Sequence, residues 1–435
     1  MAVTGPAIGS EAHRLLLADM LAAALASVSA ERCLPAHLPA EPRGRRLVLA
    51  VGKAAAAMAK VAMREARSTT RAIILVPYRH ALPPGDFPEG TIILEAGHPL
   101  PDEHGLEAAR RICDAVRALG PEDQLLALIS GGGSALLALP ADGVSLDDKR
   151  SLTRELLYCG ATISEINCVR THLSRIKGGR LAAMAHPAEV VTLAFSDIPG
   201  DDPALIASGP TVPDRTTLAD ARRVLERYGI SMADHINAVL RDERSATPQP
   251  DAGDIAAGRT RIVARSRMAL EAAGEIARAA GYMPVYLGDD LEGNATEIGT
   301  VHAALALHHQ RKGGRWALLS GGETTVFVRN PDGKGGRNSE YALSLALALG
   351  QAEGISALAF DTDGLDGVGG HGGAIIDWTT LARARFAGLS PSRMLQGNDS
   401  FGFFDALGDL VHTGPTLTNV NDLRVVLVDA DQVSH

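Results

Sequence analysis

"RRLVLAVGKAAAAMAKVAM", residues 45–63, reads as an apolar run, a tight turn at Val-Gly-Lys and an alanine-rich helix. A continuous apolar run that turns straight into a helix is the pattern of a buried parallel strand entering its crossover. The pattern continues outward from this stretch. "AIILVP" (72–77), "TIILEAG" (91–97), "DQLLALIS" (123–130) and "EVVTLAFSD" (189–197) read as short buried strands, and "HGLEAARRICDAVRAL" (104–119) has helical periodicity. Alternating strands and helices imply right-handed crossovers and a mostly parallel sheet covered on both faces.

A chain of 435 residues is too long for one ordinary core. Composition shifts at "RDERSATPQPDAGDIAAGRT", which lacks apolar periodicity, so residues 241–260 are expected to link a domain over 1–240 to one over 261–435. In the second part "TRIVAR", "MPVYLGD", "RWALLS" and "ISALAFDTDG" read as strands, with helices expected at 267–280, 293–311 and 338–349. The chain is 46% apolar with 4% aromatics, as in an α/β enzyme. Its net charge of −9 argues against general affinity for nucleic acid or anionic lipid. Cys33, Cys113, Cys159 and Cys168 show neither CxxC spacing nor a disulfide framework, which suits a reducing cytoplasm. The early run "LLLADMLAAALA" is interrupted by Asp19 and preceded by Arg14, so an amphipathic helix capped by Ser10 is expected rather than a signal peptide. No run of about twenty uncharged apolar residues suggests a membrane span.

Two phrases match: "LISGGGSALL" (128–137) and "LLSGGETTVF" (318–327). Each ends a strand in Ser-Gly-Gly and meets a hydroxyl residue. Ligands of open α/β sheets bind beyond the carboxyl ends of strands, where glycines let backbone N–H groups approach an anion. Ser130, Gly131, Gly132, Gly133 and Ser134, with Ser320, Gly321, Gly322 and Thr324, are therefore candidate anion-binding residues; the plain alternative is a tight turn. Gly52 and Lys53 follow the first strand, where a lysine can reach a phosphate as a point charge. A helix start disfavours a cation, which speaks against a merely solvated lysine. Ala54 stands where a Walker A motif needs a hydroxyl. In "DGKGGRNSEYAL" (332–343) Arg337 could clamp phosphate oxygens, with Asn338 able to cap the following helix. "AFDTDGLDG" (359–367) sets Asp361, Asp363 and Asp366 at a strand end, and "SDIPGDDP" (196–203) does the same for Asp197, Asp201 and Asp202. Such carboxylates suit Mg²⁺ or a general base, or only Asx turns. Glu323 could meet a cation, and His98 ends another strand. HExxH and GxSxG are not found, and a GxGxxG fingerprint is not read either, which weighs against a dinucleotide enzyme.

Taken together, these segments resemble the class II glycerate 2-kinases, whose C-terminal part is the MOFRL domain. The matching segments are "VGKAA", "EAGHPLPDE", "LISGGGSALL", "CVRTHLSRIKGGRLA", "SDIPGDDPALIASGPTVPD", "LLSGGETTV", "GKGGRNSE", "DTDGLDG" and "TGPTLTNVND", in order across nearly the whole chain. The resemblance implies two α/β domains, the N-terminal one Rossmann-like with a mostly parallel sheet and the C-terminal one with a mixed sheet, and an active site in the cleft between them. It implies transfer of the ATP γ-phosphoryl group to the 2-hydroxyl of D-glycerate with Mg²⁺, in a cytoplasmic monomer or homodimer whose partners are small molecules. The family's key lysine falls on Lys53, its key arginine on Arg337, and its site carboxylates on Asp197, Glu323 and Asp363, with Glu323 and Asp363 as metal ligands. Which Gly loop takes ATP and which takes glycerate stays open. Ser339, the stretch 367–374 and Leu417 depart from the family pattern. The competing expectations are a hydroxypyruvate reductase and a non-catalytic binding protein for a sugar acid or nucleotide.

Overall fold

The computed structural model describes residues 8–64, 69–249 and 259–430. The central part of the expected linker, 250–258, lies outside the described residues. The chain divides into two compact units. One comprises Ala30–Ser196 and Asp201–Ala264; the other takes the residues up to Ser29, Asp197–Gly200 and those from Arg265 on.

The first unit is built on β1 (Arg46–Val51), β2 (Thr70–Pro77), β3 (Ile92–Ala96), β4 (Gln124–Ile129), β5 (Glu189–Phe195) and β6 (Arg259–Ala264). Their order is β3-β2-β1-β4-β5-β6, and every pairing is parallel. This is the doubly wound order, in which the strand sequence reverses between β1 and β4. All six residues of β1 and of β4 are buried, which explains the unbroken apolar runs that follow Arg46 in β1 and Gln124 in β4. The helix Ala55–Met63 is alanine-rich and almost wholly buried, so its backbone lies close to the sheet. Helices Leu146–Tyr158, Ile163–His172 and Leu218–Arg227 each begin with a capping box, from Ser145/Asp148, Thr162/Glu165 and Thr217/Asp220. They share a small core of Leu152, Leu156, Ile166, Val169, Leu218 and Leu225.

The second unit holds β7 (Met283–Gly288), a short parallel pair of β8 (Gly293–Asn294) with β10 (Thr324–Thr325), and β9 (Trp316–Ser320), β11 (Ile355–Asp361), β12 (Gly373–Ile376), β13 (Leu410–Val411) and β14 (Asp422–Val428). The large sheet runs β13-β12-β11-β14-β9-β7 and is mixed: β7 and β9 are parallel, and the remaining pairings are antiparallel. Its core gathers Tyr341, Leu343, Leu345, Phe403, Phe404, Ile355 and Val426.

Two segments lie elsewhere than the sequence boundaries place them. "TRIVAR", expected to open the C-terminal domain, forms β6 at the edge of the first sheet, its Ile262 and Thr260 paired with Ala194 and Thr192. The N-terminal helix Ile8–Ser27 groups with the second unit, against the helix Ser266–Ala279. The reason is chemical as well as apolar. Leu17, Met20 and Ala24 are fully buried, and His13 bonds Ser356 and Asp429, each at 3.0 Å. Arg14 reaches two buried carboxylates, Asp377 Oδ2 at 2.6 Å and Asp409 Oδ1 at 2.9 Å. Because the helix begins at Ile8, Ser10 lies in its first turn rather than at its cap. Among the described residues no single helix is long and apolar enough to cross a membrane, and the four cysteines are free.

Arg14→Ala leaves Asp377 and Asp409 to share Arg383 alone. Loss of about 2 kcal/mol of stability is expected, read by urea denaturation. A change below about 0.5 kcal/mol removes Arg14 from the anchoring role.

Candidate active site

In the first unit the predicted residues converge where β1 and β4 end. Gly52 has φ +120°, and a Cβ there would lie 2.3 Å from Ser130 Oγ, so only glycine fits. The turn is fastened across the switch point: Lys53 N–H donates to Gly131 O at 2.9 Å, and Ala54 N–H donates to Ser130 Oγ at 3.0 Å. Ser130 is fully buried and holds the two loops together. Gly132, φ +84°, faces His98 and Lys53: its missing Cβ would lie 3.2 Å from His98 Cδ2 and 3.5 Å from Lys53 Cγ. Lys53, Gly132 and His98 thus line one place, and Lys53 is half-buried.

Ser134 turns to a second polar group. Its hydroxyl bonds that of Ser208, which donates to Asn167 Oδ1 at 3.2 Å. Lys177 Nζ donates to Ser134 O at 2.8 Å. Lys177 and Lys149 are both buried. Burial, then the nearby Arg170, lowers both ammonium groups: Lys177 well below the lysine range, and Lys149 from 10.5 to about 7. Ser208, Lys177, Asn167 and Arg170 were not singled out individually by sequence. The phrases "IASGPTVPD", which holds Ser208, and "CVRTHLSRIKGGRLA", which holds Arg170 and Lys177 and follows directly on Asn167, were the available signal.

In the second unit Arg337 opens the helix Arg337–Leu349 and sits inside a ring of carboxylates. Its Nε donates to Asp422 Oδ1 at 2.9 Å, Nη2 to Asp361 Oδ2 at 2.8 Å, and Nη1 lies 3.1 Å from Glu323 Oε1. Burial alone would lower the guanidinium's pKa; Asp422, Asp361 and Glu323 together push it well above the ordinary value. The loop after β9 is fixed from behind by Arg424, which is fully buried. It donates to Gly321 O at 3.1 Å and Thr324 Oγ1 at 3.2 Å, and it pairs with Asp422. Gly322 has φ +100°, and a Cβ there would strike Leu291 N at 2.2 Å. Ser320 is buried, and its hydroxyl has no partner among the described residues.

Several predicted roles change. Asn338 does not cap its helix; its Nδ2 donates to Asp422 Oδ1 at 2.7 Å. Asp366 does the capping, accepting from the N–H groups of Asn338 at 2.9 Å and Ser339 at 2.8 Å. Burial pushes the Asp366 carboxyl up, but His371 and these donors pull it below the usual carboxylate range. Asp363 is buried and caps an Asx turn, accepting from Leu365 N–H at 2.8 Å. Asp197 accepts from Asn419 Nδ2 at 3.2 Å. Among the described residues no three His, Cys, Asp or Glu side chains already converge as a metal cage. The glycine spacing of a dinucleotide fingerprint does occur, in "GVGGHG" (367–372), but it leads into β12, antiparallel to β11, and opens no helix.

A domain of unknown function, DUF4147, matches residues 16–241, and the MOFRL family matches residues 316–422. The chain is 49% identical to an Agrobacterium vitis protein provisionally named hydroxypyruvate reductase, over 95% of this chain and 94% of that one. It is 37% identical to the D-glycerate 2-kinase of Thermotoga maritima, over 96% and 99% of the two chains. The crystal structure of the glycerate kinase from Thermotoga maritima superposes with a TM-score of 0.85 at 37% identity, covering 96% of this chain and 100% of that one.

Lys149 supplies a pH test of the buried cations. Its folded-state value of about 7 lies below the ordinary lysine value of 10.5, so the unfolded chain binds more protons between the two. The penalty is complete below pH 7 and is relieved as pH rises toward 10.5. Arg170 and Arg180 are the charges that act on it. Lys149→Met is expected to raise Tm more at pH 6.5 than at pH 9.5 relative to the parent. Equal shifts at both pH values remove the assignment.

Proposed function

The chain belongs to the class II glycerate kinase family, and from that premise we propose that it transfers the γ-phosphoryl group of ATP to the 2-hydroxyl of D-glycerate, giving 2-phosphoglycerate and ADP. One observation carries the reading: Lys53 stands at the turn after β1 with its backbone N–H bonded to Gly131 of the loop after β4, at 2.9 Å. That puts a cation and a glycine-rich backbone together at the switch point of a doubly wound sheet, an arrangement suited to phosphate.

Phosphoryl transfer asks mainly for positioning and for charge opposite the equatorial oxygens. Lys53 supplies a compact ammonium. Arg337 supplies a guanidinium whose orientation is already fixed by Asp422 and Asp361. Its third partner, Glu323, is about half exposed at 49%, so this is the pair an incoming anion displaces most easily. Asp197 or Asp363 orients or deprotonates the acceptor hydroxyl. The second unit's carboxylates, Glu323, Asp361 and Asp422 on Arg337 and Asp363 two residues beyond Asp361, are hard oxygen donors of the type a divalent cation prefers. Glu323 and Asp363 would hold Mg²⁺, which supplies neutralisation of phosphate charge.

Coupled ADP release with D-glycerate tests the reading, alongside NADH oxidation with hydroxypyruvate. The expected result is ADP release, abolished by excess chelator, with no NADH oxidation; the reverse supports a reductase. Lys53→Ala and Arg337→Ala should each lower kcat by about a hundredfold or more while raising KM for glycerate less. Near-normal kcat in a variant with parent-like circular dichroism removes that residue from the catalytic assignment.

A further inference from the structure

The helix Ile163–His172 carries two polar side chains for which the proposed reaction has no use so far. Asn167 and Arg170 are three residues apart and share one helix face. Asn167 is buried, accepts from Ser208, and leaves its amide N–H₂ without an acceptor among the described residues. Arg170 is half-buried and has no hydrogen-bond or ion-pair partner among the described residues. This sets it apart from the other half-buried or buried arginines. Arg14, Arg46, Arg150, Arg337, Arg383 and Arg424 all meet carboxylates, and Arg180 and Arg222 donate to carbonyl oxygens.

The neighbourhood makes that freedom costly. Arg170's charge bears on Lys149 and Lys177, and neither lysine is bonded to a carboxylate among the described residues. Lys149 has a structural task, since its Nζ donates to Leu173 O at 3.1 Å and so satisfies an end carbonyl of the helix. Lys177 has one as well, through Ser134 O. Arg170 has none. A planar fork of donors beside an unengaged amide and a serine pair is complementary to a carboxylate or a phosphate oxygen pair. The phosphates of the proposed reaction already have Lys53 and the Gly131–Gly133 backbone. The anion left to recognise is the acceptor's own carboxylate.

We propose that Arg170 and Asn167, with Ser134 and Ser208, form the carboxylate-binding subsite for the acceptor acid. The assignment rests on the kinase reading for its substrate class. It makes the negative charge of the acid a requirement for binding, separate from the hydroxyl that is phosphorylated. An occupying carboxylate also supplies the counter-charge that the buried lysines lack.

Two measurements on the full chain test it. The first is steady-state kinetics of the parent and Arg170→Gln with D-glycerate, ATP and glyceramide, in which a neutral amide replaces the carboxylate. The expected result is a rise of about tenfold or more in KM for D-glycerate, an unchanged KM for ATP, and loss of the parent's preference for D-glycerate over glyceramide. A rise in KM for ATP instead assigns Arg170 to a nucleotide phosphate and overturns the proposal, as does an unchanged KM for both. The second is thermal shift with D-glycerate and with glyceramide, which needs no turnover and so separates this subsite from the kinase reading. Stabilisation of the parent by D-glycerate alone, absent in Arg170→Gln and partly restored in Arg170→Lys, supports the subsite even where no ADP is released. No D-glycerate shift in the parent overturns it.

Discussion

Asp422 is the charge on which the second unit turns. Its side chain is wholly buried, at 0% exposure, and a buried carboxylate persists only where donors replace its water. Here they come from Arg337 Nε, Asn338 Nδ2 and Arg424 Nη2. The partners belong to different parts of the chain. Asp422 opens β14, Arg337 and Asn338 open a helix, and Arg424 reaches back to the Ser-Gly-Gly loop after β9. One carboxylate therefore sets the relative position of a strand end, a helix start and a loop. Removing any member leaves the others desolvated and unbalanced, which costs more than the pair contributes when intact. This accounts for an arginine held so rigidly: its geometry is fixed before any substrate arrives, and pre-organised charge needs no reorganisation at the moment of reaction.

The first unit solves its problem with shape rather than charge. Gly52 and Gly132 adopt positive φ, so the backbone after β1 and the backbone after β4 approach closely enough for direct hydrogen bonds between them. Ser130 completes the joint with its hydroxyl. Lys53 stands at this joint, and Lys177 with Arg170 near it stands at Ser134 further along the loop, whereas the second unit gathers mainly carboxylates. Cations and backbone donors suit the oxygens of a phosphate, and clustered acids suit a metal or a proton transfer.

The buried strands of the first unit were legible because burial on both faces leaves an apolar run with no other explanation. β1 and β4 are the clearest cases, and the glycines after them announce the turn. β6 was legible as a strand but not as a member of the first sheet, since periodicity says nothing about which neighbour a strand joins. The N-terminal helix was legible as amphipathic, yet its destination depends on His13 and Arg14 meeting Ser356, Asp377, Asp409 and Asp429, contacts more than three hundred residues away in sequence. Lys53 and Arg337 were found through the glycines beside them. For Asp366 the sequence left a metal, a general base and a turn open, because a carboxylate after a strand looks the same whether it caps a distant helix or meets a metal.

The residues that sequence reasoning passed over, Asp422 and Arg424, share a physical reason for their silence. They sit two apart at the mouth of β14, so they point to the same face of the sheet. A charged pair at alternate strand positions ordinarily signals a face turned to water. In this strand all seven residues are buried, and the two charges face each other and the Arg337 group instead. The same holds for Arg170 with Asn167, whose three-residue spacing reads as an exposed helix face until the helix is packed beside Lys149 and Lys177. Charge placed where periodicity predicts solvent, and found desolvated, carries a cost that only fixed partners offset, and groups of this kind are enriched at functional sites as well as in structural ion-pair networks.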